Sequence, residues 1–64
     1  MTYRALIEIL RDDDWYVSRR GKGSHVVYRH ASKPGIIVIA PHALGQDVPP
    51  GTLQAILRQA GLKR

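Results

Sequence analysis

The sequence predicts an α+β fold in the order α-β-β-β-α, a three-stranded antiparallel sheet with two helices packed on one face. Three observations carry this. Two segments, one towards each end, repeat apolar residues at i, i+3, i+4 and i+7, the spacing of one helix face. Between them lie three short runs rich in β-branched and aromatic residues. Turns of a few residues separate the runs, too short for anything but antiparallel neighbours.

The first helix shows its face in Tyr3, Leu6, Ile7 and Leu10. Thr2 is placed to cap its start, and the run Asp12, Asp13, Asp14 with Trp15 marks its end. "WYVSRR" is the first strand, "GKG" the turn after it, and "HVVYRH" the second strand. "ASKPG" is the second turn, and "IIVIA" the third strand, closed by Pro41. "HALGQDVPPG" reads as a loop. The second helix repeats the apolar face in Leu53, Ile56, Leu57 and Ala60, and Gly61 stops it.

Register follows from where the turns are centred. A second turn centred on "SKPG" opposes Tyr28 to Ile39, Val26 to Pro41 and His25 to His42. A first turn centred on "GKGS" opposes Val17 to Tyr28 and Arg20 to His25. One sheet face then carries Trp15, Val17, Val26, Tyr28, Ile37 and Ile39, which is the core face. The other carries Tyr16, Ser18, Arg20, His25, Val27, Arg29, Val38, Ala40 and His42, basic and without a helix over it. Directly opposed Cβ atoms stand roughly 5 Å apart, so this register gathers Arg20, His25 and His42. A slip of one residue exchanges the faces.

Residues 1–64 are expected to form one domain. A chain this short buries only about 60% of its unfolded surface, so its stability is marginal. Net charge is +5 and the pI is near 10.3, a balance that attracts polyanions, nucleic acid first among them. From Trp15 to Gln46 the charged residues are Arg19, Arg20, Lys22, Arg29 and Lys33, with no carboxylate. There is no cysteine, hence no disulfide and no thiolate metal site. The longest apolar run, "IIVIA", is far short of a membrane span. No signal-peptide pattern is present, and the expected location is cytoplasmic.

Several chemistries fail on spacing. "GKGSH" lacks the third glycine of a dinucleotide loop and the Gly-Lys-Ser/Thr of a phosphate-binding loop. Ser24 and His25, adjacent in a strand, point to opposite faces and cannot act as nucleophile and base. The three histidines show no metal-binding spacing, so no metal is expected. His30 falls on the core-facing parity near a strand end and reads as an edge residue.

Metal-free RNA cleavage demands less, because the ribose 2′-OH is the nucleophile. One general base and a few cations for the developing negative charge suffice. Histidine, with an unperturbed pKa of about 6.5, is the natural base. His25 is the candidate, with Arg20 and Lys22 to hold phosphate and His42 to orient substrate or protonate the leaving oxygen. Tyr16 could stack on a base. The plainer reading stands beside it: a histidine after a glycine turn is usually a surface residue, and Gly21 and Gly23 serve turn geometry. On the residues alone, a non-catalytic RNA-binding module and a protein-docking module also remain open.

"RRGKGSH", "VVYRH" and "VIAPHALGQDVPPGTLQAILRQAGL" together resemble the HicA (YcfA-like) toxins of bacterial toxin–antitoxin pairs over nearly the whole chain. Lys22-Gly23-Ser24-His25, Pro41-His42, Gly51-Thr52-Leu53, Ile56-Leu57 and Ala60-Gly61-Leu62 fall in that family's order and spacing. The resemblance implies a double-stranded-RNA-binding-domain-like fold and an mRNA interferase that inhibits translation, neutralised by a HicB-type antitoxin. It maps the family's catalytic histidine to His25. The expected site is thus His25 as catalytic residue, with Arg20, Lys22, Gly23, Ser24, Arg29 and His42 binding a single-stranded mRNA substrate, and no cofactor. Many relatives carry a second histidine where this chain has Ala43, and "VPPG" replaces a commonly charged stretch.

Overall fold

The computed structural model describes residues 1–21, 23, 25–40 and 44–62. Its elements are α1 (Tyr3–Asp12), β1 (Tyr16–Arg20), β2 (Val26–Arg29), β3 (Ile37–Ile39) and α2 (Pro50–Gln59). The sheet is antiparallel with β2 in the centre, order β1-β2-β3.

Each end of α1 has an identifiable cause. Thr2 caps it, its hydroxyl accepting from the Ala5 N–H at 3.1 Å. The Tyr3 and Arg4 N–H groups, which no helical carbonyl can reach, donate to the carbonyls of Gln46 and Leu44, both at 3.0 Å. The segment before α2 therefore closes the start of α1. At the other end Trp15 N–H donates to Leu10 and Asp14 N–H to Arg11, with Asp14 at a φ of 70°. That is a Schellman stop with an aspartate in the left-handed position.

Helix α2 starts on Pro50, whose missing N–H costs nothing at the first helical position. It stops as α1 does: Leu62 N–H donates to Leu57, Gly61 N–H to Arg58, and Gly61 takes a φ of 73°. In both stops the residue after the turn, Trp15 or Leu62, lies in or against the core cluster that also holds the residue whose carbonyl it bonds.

The two helices share one core. Leu6 and Leu10 of α1 join Ile56, Leu57 and Ala60 against Val26, Tyr28, Ile37 and Ile39 of the sheet, with Trp15 buried in the same cluster. Leu6 and Leu10 are fully buried, each worth about 1.5–3 kcal/mol relative to exposure. Val48, expected in a plain loop, is also buried here, its N–H bonded to the Met1 carbonyl at 2.8 Å. It belongs to the same core cluster.

Both predicted registers need correction. Along β1 and β2, Val17 opposes Tyr28 as expected, but Arg19 opposes Val27 and Arg20 opposes Val26. Ser18 is the extra residue of a bulge, and every side chain beyond it changes face. Without the bulge Arg19 would sit mid-strand on the core face. With it the core-side arginine is Arg20, at the strand's end where it reaches solvent. Along β2 and β3, Val26 opposes Ile39 and Tyr28 opposes Ile37, two residues from the expected pairing. Here the faces are preserved, because side chains alternate with period two.

Val17 belongs to the core face by parity yet is exposed and stands outside the core cluster. Val27 lies on the opposite face and is nonetheless 7% exposed, flanked by Arg19 and Val38. The α-β-β-β-α order with both helices on one sheet face is the double-stranded-RNA-binding-domain-like arrangement.

Candidate active site

The hairpin from β1 to β2 closes where the glycines lie. Gly21 N–H donates to the His25 carbonyl at 2.8 Å, so the residue opposed to His25 is Gly21 and not Arg20. A Cβ on residue 21 would stand 3.3 Å from His25 Cβ, so glycine is what this close approach accepts. Gly23 adopts a φ of 65°, a conformation that glycine enters without penalty. Lys22 and Ser24 lie outside the described residues.

His25 is exposed and precedes Val26, a core residue, so strand alternation sends its side chain to the uncovered face. On that face the observed register sets rows across the sheet: Tyr16 beside Arg29, Arg19 beside Val27 and Val38, and Gly21 beside His25. Tyr16 and Val38 are about half exposed. The result is a strip with an apolar floor, two guanidinium groups and an imidazole at one end.

Arg20 departs from the expectation that it shares this face. It pairs with Val26 of the core, and its charge, with that of Arg11, acts on the Tyr28 phenol. Burial pushes that phenol above its ordinary value of 10.0, and the two cations oppose the rise. The expected pairing of His25 with His42 does not fit a register in which Val26 opposes Ile39. His42 itself lies outside the described residues.

His30 and Lys33 belong to a different structure. His30 is 8% exposed at its side chain. Its Nδ1 accepts from the Ser32 N–H at 3.0 Å, so Nε2 carries the proton and donates to the Asp13 carbonyl at 2.5 Å. The ring meets Trp15 edge-on at 5.2 Å. Lys33 donates to Asp13 Oδ2 at 2.5 Å and to the Ala60 carbonyl at 2.9 Å. Lys33 thus ties the turn after β2 to the C-terminal ends of both helices. Its hydrogen bond and charge hold the Asp13 carboxyl below its usual 3.8, against a smaller opposing effect of burial. Sequence reasoning counted Lys33 among the cations available to a phosphate; the fold uses it internally. The signal was Asp13, a carboxylate just past a helix end, which invites a cation.

The strip can do one kind of chemistry well. An exposed imidazole is accessible to a polymer, and guanidinium groups along the same face bind phosphate oxygens in forked geometry. Helix α2 offers no comparable grip, since its basic residue is Arg58 in the last turn.

A protein-family model described as "HicA toxin of bacterial toxin-antitoxin" matches residues 3–62. That span runs from the first residue of α1 to the residue that ends the second Schellman stop. Among curated proteins none matches the chain.

Proposed function

The chain belongs to the HicA toxin family of bacterial toxin–antitoxin systems, and from that premise we propose that it is a metal-independent endoribonuclease with His25 as general base. His25 takes the proton of a ribose 2′-OH as that oxygen attacks the adjacent phosphorus. The bond to the 5′-oxygen breaks, leaving a 2′,3′-cyclic phosphate and a 5′-oxygen that receives a proton. His42 or water supplies it. Lys22, Gly23, Ser24 and Arg29 contact the RNA, and the reaction takes place in the cytoplasm on mRNA.

The observation that carries this reading is the position of His25: exposed, at the mouth of a glycine hairpin, on the sheet face opposite the one that α1 and α2 cover. A binding-only module would need a cationic grip for the duplex, and the start of α2 is "PGTLQAI" without a charge. In the neutralised state a HicB-type antitoxin covers the same face, sheltering Tyr16 and Val38 along with His25.

The test is induced expression of wild type against His25→Ala, reading growth arrest and transcript integrity together. Purified protein is then assayed on RNA in the presence of chelator. Cleavage by wild type and its loss in the alanine variant, with RNA binding retained, is the expected result. A variant that cleaves as fast as wild type rules out the mechanism.

A further inference from the structure

The bulge at Ser18 decides which arginine stands beside His25. Cross-strand partners share a sheet face, so Arg19, opposite Val27, lies on the uncovered face, and Arg20, opposite Val26, lies on the helix side. The electrostatics agree: Arg20 acts on Tyr28, a ring of the core. Arg19 lies two positions before Gly21, and Gly21 opposes His25. Arg19 and His25 are therefore diagonal neighbours, about 7–8 Å apart in such pairs with the Cβ atoms somewhat closer. Gly21, the residue opposed to His25, contributes no side chain to that face.

We propose that Arg19 is the residue that binds the phosphate beside the cleaved bond, working with Arg29 further along the same face. This rests on the ribonuclease reading above. Two guanidinium groups on one face, separated by the apolar floor of Val27 and Val38, form a track along β2 that starts at His25. Tyr16, opposite Arg29, ends the track with an exposed ring on which a base can stack. The track suits a single strand, whose phosphates and bases both reach one flat surface. A bare arginine count would rank Arg19 and Arg20 equally; the register separates them.

The experiment compares Arg19→Ala, Arg20→Ala and Arg58→Ala, which lose the same charge. Cleavage is measured on single-stranded RNA of mixed sequence. Binding is measured on the 2′-deoxy analogue, which lacks the nucleophile. Arg19→Ala is expected to raise KM about tenfold with kcat changed less than threefold, and to reduce the salt dependence of binding by about one phosphate contact. Arg58→Ala stays within twofold of wild type. Arg20→Ala moves the Tyr28 titration and raises KM less than Arg19→Ala does. If wild type cleaves and Arg19→Ala matches Arg58→Ala, or Arg20→Ala is the more damaging of the pair, the assignment is overturned while the ribonuclease reading stands. If wild type neither binds nor cleaves RNA, both fail together.

Discussion

Gly21 and His25 face each other across the β1–β2 hairpin, joined N–H to carbonyl at 2.8 Å, with space at Gly21 that a methyl group would overfill. The missing side chain sets where the imidazole stands. Gly21→Ala is expected to displace His25 by a few tenths of an ångström. Because a misplacement of about 1 Å costs on the order of a hundredfold in rate, cleavage should fall about tenfold. Thermal unfolding measured beside the assay should show the fold retained.

His30 is a structural histidine, and its loss should read as stability. His30→Ala removes the bond to the Asp13 carbonyl, the acceptor for Ser32 N–H and the edge contact with Trp15. A loss of about 1–3 kcal/mol is expected from the unsatisfied groups. Denaturant titration measures it, and cleavage per folded molecule should be unchanged.

The two Schellman stops predict opposite effects for opposite substitutions. Asp14 holds a φ of 70° that glycine adopts freely, and Gly61 holds 73°. Asp14→Gly should stabilise by about 0.5–1 kcal/mol, and Gly61→Ala should destabilise by about 1 kcal/mol. For a domain of this size each kcal/mol moves the unfolding midpoint by about 4–8 °C. Differential scanning fluorimetry resolves shifts of that size.

Asp13 makes stability fall in acid. Its folded-state carboxyl is held below 3.8 by Lys33, so the folded state favours the ionised form. The contribution is complete above the unfolded value and disappears as pH drops through the folded one. Unfolding midpoints taken from pH 5 down to pH 2 should decline more steeply for wild type than for Lys33→Met, which lacks the partner.

Tyr28 gives the converse at the alkaline end. Burial raises the phenol above 10.0, so the folded state favours the protonated form, and this stability is lost as pH rises through the folded value. Removing Arg20 or Arg11 takes away a cation that opposes the rise. Phenolate absorbance should then appear at higher pH in Arg20→Ala than in wild type, while Arg19→Ala titrates as wild type does.

Element order and both helix faces were legible because the apolar spacing of Leu6 with Leu10, and of Ile56 with Leu57 and Ala60, matches only a helix against a core. The pairing of Val17 with Tyr28 was legible for a similar reason. Beyond Ser18 the reading failed, since one extra residue in a strand leaves no mark in composition. The conflict was present all the same: uninterrupted alternation from Trp15 puts Arg19 on the core face in mid-strand. The second register moved because the turn after β2 is organised by His30 and Lys33 rather than by the Lys-Pro-Gly sequence alone. Val48 was missed because a single apolar residue before two prolines has no period to betray it. His25 was singled out by its glycine neighbours, and the placement of Arg19 on the same face as His25 was hidden by the bulge.

The carbonyls of Leu44 and Gln46 that complete the first turn of α1 have a consequence for synthesis. A ribosome delivers Tyr3 and Arg4 some forty residues before the groups that satisfy them. Until those later residues emerge, the opening helix has only Thr2 to hold its end, and isolated helices of its length are marginal in water. A nascent chain that has not yet reached residue 46 thus lacks the carbonyls that complete the first turn of α1. A premature stop before Leu44 should yield a fragment that proteases clear, with no partly folded product.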